Sequence, residues 1–142
     1  MIDNSPAPYP LLSLMKAWLM DDFTGIKQLR LGDAQEPVAH EGEAVLEVEY
    51  AALNPADRYL AERQYPARPK LPHILGRDGI GTVTNPGTEA KDLRAGDRRV
   101  VLRGDTGIDL PGTFAERVAV PRQNLVTAPT NWSNEDGVLP LP

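Results

Sequence analysis

The chain has 142 residues, no cysteine, 15 lysines and arginines, and 20 aspartates and glutamates, which give a net charge of −5. This length suits one domain, and the acidic balance argues against nucleic acid as a partner, because contacts to phosphate need an excess of Lys and Arg. The lack of cysteine excludes disulfides, thiolate zinc ligands and a cysteine nucleophile.

Residues 1–13 are rich in proline, with Pro6, Pro8 and Pro10 at alternate positions. Such spacing favours an extended chain, so we predict a disordered Pro-rich lead before a domain that begins at residue 14. These prolines and the acidic Asp3 do not fit a signal peptide, and no apolar run approaches the length of a membrane span. The sequence therefore predicts a cytoplasmic protein without a membrane partner.

Short runs of β-forming residues, separated by turn residues, follow along the chain. In the clearest run, 44–50, Leu46, Val48 and Tyr50 alternate with Glu47 and Glu49, as expected for a half-buried strand. The predicted strands are 15–20, 28–31, 44–50, 79–84, 98–102, 114–120 and 125–128, with a hairpin around 24–25 and an irregular connection over 66–73. Many short strands indicate a mainly β fold, a small and partly open β-barrel.

One or two short helices are expected beside these strands. Asn54 is a favourable N-cap, Pro55 suits the first helical position, and Asp57 supplies an acid to the first turn. This helix should end before the Tyr-Pro pair at 65–66. Ser133 has the same character as a cap for a second helix near the end of the chain.

Residues 79–84 read Gly-Ile-Gly-Thr-Val-Thr, which allows two interpretations. A loop that binds dinucleotide phosphates needs a third glycine and a following helix, whereas threonine and valine follow here. We therefore favour glycines that relieve crowding inside a strand, through a bulge or a close backbone approach.

Six segments in order resemble the N-terminal, GroES-like half of the medium-chain dehydrogenase/reductase superfamily, and in particular its zinc-independent quinone oxidoreductase branch. They are residues 15–17, 42–46, 53–57, 65–66 with 71–83, 95–100 and 112–121, and they include Leu-Asn-Pro-Ala-Asp at 53–57 and Leu-Gly-Arg-Asp-Gly-Ile-Gly at 75–81. The resemblance implies a GroES-like barrel on the substrate side of a two-domain enzyme, whose downstream Rossmann domain binds NADPH or NADH.

Such an enzyme transfers a hydride from NAD(P)H to a quinone or an α,β-unsaturated carbonyl compound. On this interpretation residues 14–130 form the GroES-like domain, and residues 131–142 begin the linker to a Rossmann domain that this chain lacks. We expect the fragment to be inactive alone, and the full-length protein to be a homodimer. Two alternatives stay open: a stand-alone GroES-like binding module, and a trans-acting domain that reduces enoyl thioesters.

The resemblance also implies site residues. Asn54 and Tyr59 match an Asn and a Tyr that line the cleft for nicotinamide and substrate. We expect both to contact cofactor and substrate as catalytic residues, with Asn54 orienting the nicotinamide or its ribose and the Tyr59 hydroxyl donating to the carbonyl oxygen. Tyr65 and Arg77 are candidate substrate-binding residues. Structural alternatives are a helix cap for Asn54, a buried tyrosine for Tyr65 and a solvated or paired charge for Arg77.

No metal site is expected. Zinc-dependent members of the superfamily place a Cys near the position of Asn54, and Gly-His-Glu where this chain has Gly76, Arg77 and Asp78. The chain has no Cys, and Arg77 replaces the ligand His, so the donors that zinc prefers are missing. We expect the two imidazoles, His40 and His73, to be structural or on the surface.

Overall fold

The computed structural model describes residues 13–89, 92–102 and 104–138. The predicted Pro-rich lead lies outside these residues except for Ser13, as does the end of the predicted linker at 139–142, so the domain boundaries remain predictions. The elements are β1 (Leu14–Met20), β2 (Arg30–Gln35), β3 (Glu43–Ala52), α1 (Pro55–Ala61), β4 (His73–Ile74), β5 (Asp78–Asn85), β6 (Arg98–Val101), β7 (Arg117–Pro121), β8 (Leu125–Thr127) and α2 (Asn134–Val138). The predicted mainly β fold with two short helices is confirmed.

The strands form two antiparallel sheets, one of three strands in the order β2-β1-β4 and one of five in the order β7-β3-β5-β6-β8. The two sheets meet just before β7. There Ala115 bridges to Ala17 of β1, and the Trp18 N–H donates to the Phe114 carbonyl at 2.8 Å. This junction curls the sheets into the partly open barrel that the sequence predicts.

The alternation in β3 places its apolar residues in the main core. Ala44 and Leu46 are buried, and Val48 packs against the same cluster, which includes Val83 and Val120. Tyr50 was expected on this face but is 45% exposed. The pairing of β3 with β5 shifts register between Val48 and Tyr50, and this irregularity explains why the prediction for Tyr50 is wrong.

A second cluster holds α1 against the barrel. Leu60 and Ala61 of the helix are buried with Met20 at the end of β1 and with Leu75 after β4. These contacts decide which face of α1 points inward. The adjacent residue Tyr59 therefore lies on the outer face, with 47% of its surface exposed.

Some predicted strand boundaries are wrong. The predicted hairpin at 24–25 exists as the antiparallel pair β1 and β2, but its connection is wider and contains a 3-10 turn at Ile26–Gln28. As a result β2 begins at Arg30 and continues past the predicted stop at Gly32. The strand predicted to start at residue 114 begins at Arg117, because Phe114 and Ala115 contact β1 instead.

The interpretation of 79–84 as a crowded strand is confirmed. Gly81 lies in β5, and a Cβ atom added there would come within 2.1 Å of the Glu47 carbonyl oxygen on β3. Only glycine allows the two backbones this approach without a shift of the sheet. No strand–loop–helix arrangement of the phosphate-binding type follows, since the segment is a strand throughout.

Candidate functional site

A cleft of about 520 Å³ opens beside the start of α1, a volume within the range of small-molecule sites. Four segments line it: the end of β3 and the start of α1, the start of β5, the end of β6, and the region of α2. Their lining residues are Ala52, Leu53, Asn54 and Pro55; Arg77 and Asp78; Val100, Val101 and Leu102; and Trp132, Asp136, Gly137 and Val138. Apolar side chains form much of its walls, and the polar groups lie both beside the start of α1, at Asn54, Arg77 and Asp78, and in α2, at Asp136.

The wall formed by Trp132 and α2 is held in place by hydrogen bonds from Arg98 and by close packing of α2 against β5. The Arg98 guanidinium donates to the Trp132 carbonyl at 2.7 Å and to the Asn134 side-chain oxygen at 2.5 Å. Gly137 lets α2 lie close to β5, since a Cβ there would be 2.5 Å from the terminal carbon of Ile80. These contacts hold the start of α2 against the sheet and so define the width of the cleft.

Asn54 joins two walls of the cleft. Its backbone is extended, and its Oδ1 accepts from the Ala56 N–H at 2.9 Å, so it caps α1 as predicted. Its Nδ2 donates to Asp78 Oδ2 at 2.9 Å, across 24 positions of sequence. An amide offers four hydrogen-bonding positions. Among the residues that the structure describes, the second N–H and the second lone pair of the Asn54 amide have no partner.

The side chain of Asp57 holds the backbone of Asn54 in place and is only 2% exposed. One carboxylate oxygen accepts from the Asn54 N–H at 3.0 Å, and the other accepts from the Gly76 N–H at 3.1 Å. Burial raises the pKa of Asp57, although the two backbone donors act in the opposite direction. Asp57 therefore ties the start of α1 to the loop that carries Arg77, and it matches the prediction of an acid in the first turn.

The structure brings some of the four predicted site residues together. Asn54 and Arg77 both line the cleft. Tyr65 is half-buried in the cluster beneath α1, and its ring lies 6.0 Å from the Arg77 guanidinium carbon. Tyr59 does not belong to the cleft lining and stands on the exposed side of α1. Its hydroxyl has no hydrogen-bond partner within 13–89, 92–102 and 104–138.

Both carboxylates in the cleft lining already accept hydrogen bonds. Asp78 accepts from the Asn54 amide, as described above. Asp136 accepts from the Ser133 N–H at 2.8 Å and from the Ser133 hydroxyl at 3.0 Å. The Ser133 hydroxyl in turn accepts from the Asp136 N–H at 3.2 Å, which agrees with its predicted role as a cap of α2.

The two histidines have the structural or surface positions that the sequence predicts. His73 is buried, and its Nε2 lies 3.3 Å from the Gly107 carbonyl oxygen. Burial lowers the pKa of His73, which keeps the imidazole neutral to a lower pH than usual. His40 is exposed. Across the described part of the chain, no three His, Asp or Glu side chains cluster in the manner of a metal site.

Sequence reasoning missed several residues of the cleft. Asp78 follows Arg77 directly, yet no spacing rule connects it with Asn54, because the contact depends on the position of β5 beside β3. The sequence of the apolar wall, Val100, Val101 and Leu102, does not differ from that of other strand ends, so it gives no sign of a cleft. The wall around Trp132 depends on its contact with Arg98, which the sequence does not reveal.

Known proteins resemble this chain in sequence and in structure. Residues 40–130 match the family described as the alcohol dehydrogenase GroES-like domain. The chain is 32% identical over 122 residues to the NADPH-dependent alkenal/one oxidoreductase, chloroplastic, of Arabidopsis thaliana, a match covering 82% of this chain and 32% of that protein. It is 30% identical over 86 residues to a quinone oxidoreductase of Lama guanicoe, covering 60% of this chain and 26% of that protein.

A solved structure, a thermostable alcohol dehydrogenase from Pyrobaculum aerophilum, superposes with a TM-score of 0.78 at 26% sequence identity. The match covers 88% of this chain and 43% of that chain. The chain therefore spans about a third or less of the curated relatives it matches. None of the helices in the described ranges has the length and apolar character needed to cross a membrane.

Proposed function

Because the chain belongs to the alcohol dehydrogenase GroES-like domain family of medium-chain dehydrogenases and reductases, we propose that it forms the substrate side of an NAD(P)H-dependent, zinc-independent oxidoreductase. The proposed substrates are quinones or α,β-unsaturated carbonyl compounds, the classes named for the two relatives above. The observation that carries the proposal is the cleft in which the Asn54 amide faces the apolar end of β6. We also propose that the protein is cytoplasmic.

The donor chemistry of the cleft supports a reaction without zinc. Zinc in proteins takes Cys sulfur, His nitrogen or carboxylate oxygen. At the positions where the family resemblance puts zinc ligands, this chain has an amide at 54, a guanidinium at 77 and a carboxylate at 78. The carboxylate is bonded to the amide, and the guanidinium adds a positive charge beside it. This set fits an organic ligand better than a divalent cation.

The same cleft fits part of a nicotinamide with a small substrate. NAD(P)H, when bound, supplies the hydride. The apolar wall of β6 excludes water from one side, and the free N–H and lone pair of Asn54 are available to orient an amide or a ribose hydroxyl. Asp57 and Asp78 fix Asn54 from two directions, so its orientation is set before any ligand arrives.

Charge that develops on a carbonyl oxygen needs a hydrogen-bond donor when no metal is present. We propose the Tyr59 hydroxyl for this role. Its exposure and its lack of a partner within the described ranges leave it available to the end of a substrate that extends out of the cleft over α1. Because this position is outside the cleft lining, the proposal requires a further part of the protein to close over α1 and extend the site.

We propose that the remaining length of the relatives corresponds to a Rossmann domain that binds most of the cofactor, with residues 14–130 as the GroES-like domain and 131–142 as the start of the linker. Within the ranges the structure describes, the glycines at 79 and 81 belong to a strand and give no phosphate-binding loop. We therefore expect the 142 residues alone to be inactive. We also propose, from the family resemblance, that the full-length protein is a homodimer.

The experiment is a substrate panel with the full-length protein that contains this chain. NAD(P)H consumption is measured with quinones, enones and enoyl thioesters, before and after dialysis against a chelator. We expect turnover of quinones or enones that survives chelation. Reduction of enoyl thioesters alone would support the trans-acting reductase instead. Failure to oxidise NAD(P)H with every substrate would overturn the proposal and favour a binding module.

Two tyrosine variants test the role of Tyr59. Tyr59→Phe removes only the hydroxyl, and we expect turnover to fall about tenfold or more if that hydroxyl donates in the transition state. Tyr50→Phe is the matched control, because Tyr50 is equally exposed, at 45% against 47%, and is not part of the cleft lining. Equal rates in both variants would remove Tyr59 from the proposed site.

A further inference from the structure

Arg77 differs from the other half-buried arginines of the protein. Within the ranges that the structure describes, these are Arg77, Arg98, Arg99, Arg117 and Arg122. Four have internal partners: Arg98 binds Trp132 and Asn134, Arg99 pairs with Asp97, Arg117 pairs with Glu36, and Arg122 pairs with Asp92. Arg77 has no hydrogen bond or ion pair among the same residues, and its guanidinium carbon lies 6.0 Å from the centroid of the Tyr65 ring. Burial raises the pKa of the Asp57 carboxyl, and the charge of Arg77 acts on that carboxyl in the opposite direction.

The acids near Arg77 do not serve as its partner. Asp57 is buried below it, with both oxygens bonded to backbone N–H groups. Asp78 accepts a hydrogen bond from the Asn54 amide, and Asp136 accepts hydrogen bonds from Ser133. No N–O distance from Arg77 to any of the three falls within the 4 Å of an ion pair. Within the described part of the chain, the five N–H donors of the Arg77 guanidinium therefore have no acceptor at the wall of the cleft.

The sequence segment that ends at Arg77 is cationic, although Asp57 and Asp78 flank it and the whole chain is acidic. Residues 58–77 contain five cationic side chains and one acid, Glu62, which gives this segment a net charge of +4 in a chain of −5. Of the five cationic side chains only Arg77 lines the cleft, and the carboxylates of Asp78 and Asp136 line it too, so the positive charge of the cleft is confined to the Arg77 guanidinium. Arg77 stands at the end of this segment that lines the cleft.

We infer that Arg77 binds an anionic oxygen group on the substrate, so that this reductase prefers α,β-unsaturated carbonyl compounds that carry a carboxylate. This inference rests on the function proposed above and adds a substrate class to it. A guanidinium matches a carboxylate through two parallel N–H donors. The centroid of the Tyr65 ring lies 6.0 Å from the guanidinium carbon, at the outer limit of a cation–π contact. A phosphate has the same chemistry, and the cofactor is its other source.

The test compares a matched pair of substrates, acetylacrylic acid and its methyl ester, with the full-length protein. The two differ in the negative charge and share the enone. The quantity measured is the ratio of kcat/KM for the acid to kcat/KM for the ester. We expect Arg77→Gln to lower this ratio about ten- to a hundredfold, the range for loss of a charged hydrogen-bond pair. Arg77→Lys keeps the charge without the fork, and should give an intermediate ratio.

Arg63→Gln is the control, since Arg63 belongs to the same cationic segment but stands over the Phe23 ring at 5.3 Å, outside the cleft lining. It should leave the ratio unchanged. Circular dichroism and the ester rate report whether each variant is folded, and the ratio cancels any change in active concentration.

Each other outcome has a definite meaning. An unchanged ratio in Arg77→Gln would overturn the inference. A raised KM for NADPH but not for NADH in Arg77→Gln would assign the cofactor phosphate to Arg77, and would also overturn it. If the wild type reduces quinones but neither acetylacrylic acid nor its ester, the substrate class is wrong while the proposed function stands. If it reduces none of these, the proposed function itself fails.

Discussion

The substitution Asp57→Asn tests the buried network that supports the cleft. Asp57 is 2% exposed, and its two oxygens accept from the N–H groups of Asn54 and Gly76. Asparagine offers one oxygen and one amino group, so one of these N–H groups would face another donor. A buried N–H group left without an acceptor costs about 1–3 kcal/mol. We therefore expect Asp57→Asn to lower the free energy of unfolding by about 2 kcal/mol.

The pH dependence of this cost has a definite sign. Burial raises the pKa of Asp57, so the folded protein holds this proton more tightly than the unfolded chain, whose carboxyl titrates near pH 3.9. The stability that Asp57 contributes is thus fully present below about pH 4 and declines as the pH rises through the folded-state pKa. The cost of Asp57→Asn should therefore be larger in acid than at neutral pH.

The assay is urea denaturation of wild type and Asp57→Asn, followed by tryptophan fluorescence from about pH 4.5 to about pH 8, a window above the unfolded-state value. Asp33→Asn is the control, because Asp33 is exposed in its pair with Lys16 and should cost little at any pH. A cost of Asp57→Asn that grows as the pH rises would refute the reasoning, since it would mean that the backbone donors outweigh burial. An unchanged free energy of unfolding in Asp57→Asn would refute the stabilising role of the two hydrogen bonds to Asp57.

Substitutions at three further positions test the same framework by urea denaturation. Asn54→Ala should cost about 1–2 kcal/mol through loss of the cap, and Asn54→Ser should recover part of this because its hydroxyl still caps α1; equal costs would contradict the capping role. Gly81→Ala should cost about 1–3 kcal/mol or prevent folding, since its Cβ would lie 2.1 Å from the Glu47 oxygen, and a neutral result would contradict the close approach. Burial lowers the pKa of His73, so wild-type stability should decline below about pH 6.5. His73→Gln should remove this decline, and an unchanged pH profile would count against the neutral buried imidazole.

Elements with a characteristic local sequence, such as alternating apolar residues or a helix cap, could be predicted from the sequence alone. The alternation of Leu46 with Glu47 defines β3, and the order Asn54, Pro55, Asp57 defines the start of α1. The two residues of β4 have no such signal, because they are a strand only through pairing with the end of β1. Tertiary contacts decided that element, and no local pattern could have predicted it.

The site was only partly predictable for the same reason. Helical spacing places Asn54 at the start of α1 and Tyr59 further along, but it does not say which face packs inward. Burial of Leu60 and Ala61 settles that question and leaves Tyr59 outside the cleft lining. The contact of Asn54 with Asp78 joins residues 24 positions apart, so it exists only after β3 and β5 have paired.

The central proposal is that this domain presents a substrate for hydride transfer without zinc. The most direct measurement is deuterium transfer by the full-length protein after chelation, with NADPH that carries deuterium at both positions of the nicotinamide C4 and an enone as the acceptor. We predict a saturated ketone that carries deuterium on its former β carbon. A product without deuterium, or activity that returns only when zinc is restored, would contradict the proposal.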